Sequence, residues 1–189
     1  VGGSGSGFSV NVTQTPVQHN YPTNPLPAAC RIASFFDAVR NQRAHHAQDV
    51  VLDNGQGGSQ RPAYGTAVTA MESGTVRTAI SGNGPASTPY PGCAGLGVPG
   101  NYVKIIADGD TYSTIYFHMT ASVSAGQHVN AGDVIGHLDN SGCQSGAHLH
   151  VGRKDPSGNP VNFTIPCVNQ VPTTKYDDGT VGDDVPDNL

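Results

Sequence analysis

The sequence predicts a mostly β protein built on antiparallel sheet. Two observations carry that prediction: runs rich in β-branched and aromatic residues alternate with polar ones at period two, and 25 glycines and 14 prolines punctuate them at short intervals. A third is that a single segment of the 189 residues has the apolar spacing of a helix.

Taken in order, residues 1 to 7 (VGGSGSG) have the composition of a flexible linker. Phe8, Val10 and Val12 alternate with polar neighbours and suggest a short strand, after which Pro16, Pro22, Pro25 and Pro27 break regular structure until Cys30. From Arg31 to Arg40, Ile32, Phe35, Phe36 and Val39 recur near i, i+3, i+4 and i+7, which predicts a helical turn or two. At most one or two short helices are expected in the whole chain.

Beyond that segment the period changes to two. AQDVVLDN, GTAVTAMESGTVRTAI, NYVKIIADGD and TYSTIYFHM read as strands separated by Gly, Asn and Asp turns. Residues 81 to 101 hold little but turn formers and Cys93, and predict a long surface loop. In VSAGQHVNAGDVIGHLDNSG, Val123, Val129, Val134 and Ile135 are interrupted by Gly126, Gly132 and Gly136, which fits short strands with tight turns. The organisation expected is a linker and strand/loop segment (1–30), one principal domain (31–168) and an acidic tail (169–189) carrying Asp177, Asp178, Asp183, Asp184 and Asp187.

Composition excludes several functions. Net charge is −5 and the nine Lys and Arg are scattered singly, so no basic stripe exists to neutralise a phosphate backbone and nucleic acid is not an expected partner. No apolar run approaches the roughly 20 residues that span a bilayer. Cys30, Cys93, Cys143 and Cys167 are widely spaced without a C-x-x-C pair, so two disulfides are expected, with three pairings open. An oxidising compartment follows: secreted, periplasmic or cell-surface. Nothing marks a subunit interface, and a monomer is the default.

AHLHV places His148 and His150 two apart in a strand candidate, so both imidazoles project from one face. In RAHHAQDVV, His45 and Asp49 stand four apart at the start of another strand candidate. Imidazole and carboxylate suit Zn²⁺, and a catalytic zinc commonly takes three protein ligands and leaves a fourth position to water. His45, Asp49 and one histidine of the HLH pair complete such a set, and the other would sit beside the water as acid or base. His118, ending the STIYFHM strand, is a candidate to stabilise an oxyanion or hold the attacking water. His19, His46, His128 and His137 lack a partner at ligand spacing and are read as surface or loop residues, His46 alone leaving the alternative open.

Four motifs then stand in one order: HHAQD (45 to 49), YFH (116 to 118), GQHVNAGDVIG (126 to 136) and GAHLH (146 to 150). Their combination resembles the zinc endopeptidase family of lysostaphin and the β-lytic enzymes, over roughly residues 35 to 165. The resemblance implies zinc ligands at His45, Asp49 and His150, with His118 and His148 as the catalytic pair. It implies an antiparallel β-sheet groove of the lysostaphin-like, duplicated hybrid motif type, with rim loops that choose the peptide. The activity implied is that of a secreted zinc metalloendopeptidase cutting peptide cross-links or stem peptides of peptidoglycan. Whether glycine bridges or stem-peptide links are cut stays open.

This chain departs from the family pattern at Ala47, where glycine is usual, and in the expanded loop 81 to 101. Ala47 matters only where φ is positive, and the strand is expected to tolerate it. The alternative reading is a non-catalytic binding or activating module of the same fold. A lipoyl-type carrier needs a lysine on an exposed turn, and none of Lys104, Lys154 and Lys175 occupies one. A carbohydrate-binding domain is disfavoured by the absence of Trp and an aromatic content of 6%.

Overall fold

The computed structural model describes residues 19–36, 39–40, 43–85 and 100–170, and the backbone alone at 39–40 and 43–44. The strand expected at Phe8 to Val12, Cys93 with most of its loop, and most of the acidic tail lie outside the described residues. Those described form β1 (His19–Asn20), β2 (Cys30–Ser34), β3 (Val39–Arg40), β4 (Arg43–Ala44) and β5 (Gln48–Asp53). Next come β6 (Ser59–Gln60), β7 (Ala67–Thr69), β8 (Gly74–Ile80), β9 (Tyr102–Ala107) and β10 (Ser113–Phe117). The last are β11 (Met119–Ala121), β12 (His128–Val129), β13 (Val134–Leu138), β14 (Leu149–Lys154) and β15 (Phe163–Thr164). There is no helix among the described residues, hence none long and apolar enough to cross a membrane.

The main sheet has eight strands in the order β12-β8-β9-β10-β14-β5-β2, with β6 paired to β5, and all its pairings are antiparallel. A three-stranded sheet, β11-β13-β7, packs beside it. Period two sorts the side chains of the central strands. Val50, Tyr116, Leu149 and Val151 enter the principal apolar core, together with Ile32, Val103, Ile105, Ile135 and Phe163. Each fully buried aliphatic side chain there contributes roughly 1.5–3 kcal/mol. Ala47, Tyr102, Ile115 and Phe117 form a second, smaller cluster. Asp49, His148 and His150 alternate with the core residues of β5 and β14, and so fall on the opposite face, where Phe117 meets the His150 ring edge-on at 5.6 Å.

Arg153, on the Tyr116 side of β14, is buried with its charge matched. Its guanidinium donates to Glu72 at 2.6 Å and to Asp110 at 2.7 Å, and packs over the Tyr21 and Tyr112 rings. Removing one partner of such a pair leaves a buried charge uncompensated. A disulfide joins Cys30 to Cys167 across 137 residues of sequence, and Cys143 is also disulfide-bonded.

The helix expected from Arg31 to Arg40 does not form: Cys30–Ser34 is a strand, paired with β5. Cys30 and Ile32 point inward at period two, while Arg31 on the other face reaches Asp53. A register shift between Ile32 and Ser34 breaks the alternation, and Phe36 beyond it is again buried. A strand and the turn after it thus present together an apolar spacing that mimics a helix.

Candidate metal centre

The main sheet supplies the floor of the site. Register sets Asp49 on β5 directly opposite His150 on β14, and His150 opposite Phe117 on β10. His118 follows Phe117 at the end of β10, where the backbone turns with φ at 62°. This is the left-handed region, which a residue with a Cβ enters at a cost of about 1–2 kcal/mol. His148 immediately precedes β14, and His45 immediately follows β4.

Three ligating atoms converge. His45 Nε2 lies 3.3 Å from His150 Nδ1 and 3.5 Å from Asp49 Oδ1, and His150 Nδ1 lies 2.9 Å from the same Oδ1. Ligand atoms about 2.0–2.1 Å from one tetrahedral zinc stand about 3.3 Å from each other, so the spacing and the donor set both fit that ion. All three residues are buried and could hold a metal ion. Burial pushes the Asp49 carboxyl up, but hydrogen bonds from His150 and His45 and the nearby His148 outweigh it and hold the group well below the usual range.

Three of the four imidazoles are held by the same device. The Nδ1–H of His45 donates to the Phe35 carbonyl at 3.1 Å, with Ser34 Oγ 3.2 Å from the same nitrogen. His118 donates from Nδ1 to the Ser141 carbonyl at 2.8 Å, and His148 from Nδ1 to the Gly146 carbonyl at 2.8 Å. A carbonyl can only accept, so each Nδ1 carries the proton and each Nε2 keeps a lone pair. His150 is reversed, with Nδ1 toward Asp49 and its buried Nε2 without a hydrogen-bond partner among the described residues.

His118 and His148 stand face to edge, 4.9 Å between ring centroids, and His148 Nε2 lies 3.6 Å from Asp49 Oδ1. Burial, with His148 and His150 beside it, lowers His118 to about 3, so its ring is neutral at ordinary pH. Its support is elaborate. Asp139 accepts from the Ser141 N–H at 2.8 Å and from the Ser141 hydroxyl at 2.5 Å, and its own N–H donates to the His118 carbonyl at 2.8 Å. Gly142, at φ +71°, lies so close to Gly100 that a Cβ would stand 2.7 Å from its backbone.

The structure therefore brings His45, Asp49, His118, His148 and His150 into one place. His128 and His137 are exposed, His128 paired with Asp108, and His19 pairs with Glu72. His46 is not on the surface as expected: it is buried and stacked on Phe36 at 5.7 Å. Ala47 is also buried, and its φ is not positive, so a Cβ is accommodated without strain. Sequence reasoning missed Asp139, Ser141 and Arg61. Arg61 lines a groove of about 290 Å³ together with Asp49 and His148.

Among solved structures, the chain is similar to the catalytic domain of the prophage-encoded M23 protein EnpA from Enterococcus faecalis (a mutant form). That match has 21% identity and a TM-score of 0.53, and covers 74% of this chain and 93% of that one. It is similar to a zinc containing peptidase from Vibrio cholerae at 24% identity and a TM-score of 0.50, over 72% of this chain and 37% of that one. A third match is the catalytic domain of lysostaphin from Staphylococcus simulans, at 23% identity and a TM-score of 0.43, over 71% of this chain and 75% of that domain. The sequence model of Peptidase family M23 matches residues 54–163, a span holding His118, His148 and His150 and beginning just after Asp49. That match covers more than half of the sequence, and the chain belongs to Peptidase family M23.

Proposed function

We propose that this chain is a secreted zinc metalloendopeptidase that hydrolyses peptide bonds in bacterial peptidoglycan. One observation carries the reading: His45 Nε2, Asp49 Oδ1 and His150 Nδ1 face one another at 2.9 to 3.5 Å, beside two further imidazoles. Membership of a peptidase family supports the reaction type, and the Cys30–Cys167 disulfide supports an oxidising compartment.

In this reading His45, Asp49 and His150 hold zinc, which when bound supplies Lewis acidity toward the scissile carbonyl and a more acidic water. His118 and His148 do the proton work. Each offers an Nε2 lone pair, so each accepts a hydrogen bond from the attacking water. His118, held neutral, orients that water. In this tautomer it has no N–H to offer an oxyanion, so we assign it to the water rather than to the intermediate. His148 takes the proton and returns it to the leaving amine, its imidazolium facing the Asp49 carboxylate at 3.6 Å.

The test pairs zinc analysis with release of peptides from purified peptidoglycan. Wild type should carry near-stoichiometric zinc and release peptides. Asp49→Ala should lose both, and His148→Ala should keep zinc and lose turnover. Zinc without turnover in the wild type would turn the reading to a non-catalytic module, and normal cleavage by His148→Ala would overturn the roles assigned here.

A further inference from the structure

Among the described residues, Arg61 is the one Lys or Arg lining the groove beside the candidate centre. That groove, about 290 Å³, is bounded by Asp49 and His148 at the metal end and by Ser59, Arg61, Ser145 and Val51 beyond. Arg61 is held against the loop that carries His148. Its Nη2 donates to Ser145 Oγ at 3.2 Å, and a Cβ added at Gly146 would stand 2.9 Å from its Nη1. Gly146 is also the residue whose carbonyl fixes His148. The exposed guanidinium therefore packs against the loop that carries His148.

Its charge is uncompensated. A guanidinium has five N–H donors in a planar fork that matches a carboxylate. Among the described residues Arg61 makes one hydrogen bond, to a neutral hydroxyl, and no ion pair. This contrasts with Arg31 and Arg153, each of which is paired with a carboxylate. The acid nearest to hand in the groove, Asp49, is engaged by His45 and His150. A chain of net charge −5 thus leaves one arginine open in the groove, toward the space a peptide must cross to reach His148.

Resting on the peptidase reading, we propose that Arg61 forms a carboxylate subsite, so that the substrate carries a free carboxylate close to the scissile bond. Stem-peptide links meet that requirement and uncharged glycine bridges do not. The ligand class is an anionic peptide, bound through a two-pronged contact from Nη1 and Nη2 after the Ser145 bond is exchanged.

The experiment uses three synthetic probes: a cross-linked stem peptide with a free carboxylate on its diamino acid, its carboxamide counterpart, and pentaglycine. Binding by fluorescence anisotropy and cleavage by chromatography are measured for zinc-loaded wild type, Arg61→Gln and Arg61→Lys. Wild type should favour the carboxylate over the carboxamide by about tenfold, mostly in KM, as a charge-assisted contact supplies. Arg61→Gln should erase that preference, bringing the ratio between the two stem peptides to about one. Arg61→Lys should keep part of it. Equal handling of both stem peptides by wild type, or a preference that survives in Arg61→Gln, would overturn the subsite while leaving the peptidase reading intact. A preference in binding that follows Arg61, with no cleavage of any probe, would uphold the subsite and remove the peptidase reading instead.

Discussion

Replacing Asp139 by Asn should lower stability and turnover while leaving zinc content unchanged. The carboxylate accepts four hydrogen bonds: from the Ser141 N–H at 2.8 Å and hydroxyl at 2.5 Å, from Asn101 Nδ2 at 2.7 Å and from Thr120 Oγ1 at 2.8 Å. An asparagine has one acceptor oxygen where two stood, and turns an NH₂ group toward donors on the other side. Bonds to a charged group are worth about 1.5–3 kcal/mol each, but these share one half-buried carboxylate, so a loss of about 2 kcal/mol is expected rather than their sum. The same change frees the Ser141 carbonyl that holds His118, and misplacing a catalytic group by about 1 Å costs up to about a hundredfold, so kcat should fall roughly ten- to a hundredfold.

The pH dependence of the same variant has a defined sign. Burial pushes the Asp139 carboxyl up, but hydrogen bonds from Ser141, Asn101 and Thr120 outweigh it and hold the group below its ordinary value. Its stabilisation is therefore present above that ordinary value and lost as pH falls through the depressed one. Urea unfolding of the two proteins should differ at neutral pH and converge in acid. Matching unfolding midpoints and matching kcat at neutral pH would refute this account of the loop. Zinc lost together with turnover would mean that the network supports the metal centre rather than His118.

Replacing Cys30 and Cys167 together by Ser should cost about 2–5 kcal/mol, read as a lower melting temperature that reductant no longer changes at this bridge. Glu72 accepts from Arg153 at 2.6 Å and from Thr114 at 2.9 Å, with His19 Nε2 3.0 Å away, and although burial pushes its carboxyl up, His19 and Arg153 outweigh that and hold it below its ordinary value. Its contribution is present above the ordinary glutamate value and lost as pH falls through the depressed one, so Glu72→Gln should flatten the acid limb of the stability profile. An unchanged acid limb would mean that the buried Arg153 cluster does not set it.

Much of the sheet was legible because one face is buried: Val50, Tyr116, Leu149 and Val151 repeat at period two, and the same parity exposes Asp49, His148 and His150 on the other face. The segment from Arg31 to Arg40 misled because Ile32 is buried from a strand and Phe36 from the turn that follows it, and their spacing of four looks helical. His46 misled for a related reason, since its burial comes from Phe36, ten residues earlier in the chain. Asp139, Ser141 and Arg61 left no signal at all. Their importance arises from contacts with His118 and with the Gly146 backbone, made by folding and absent from any local pattern.

Asp49 and His150 touch across the pairing of β5 with β14, yet 101 residues separate them in the chain. Hairpins such as β9–β10 close over a few residues, whereas this pairing must close a loop of domain size, which places it late in folding. During synthesis, the growing polypeptide holds only two of the three converging atoms until β14 has emerged. A nascent or truncated product without β14 therefore lacks one of the three atoms, and the closing of one strand pair both completes the sheet and brings the candidate ligands together.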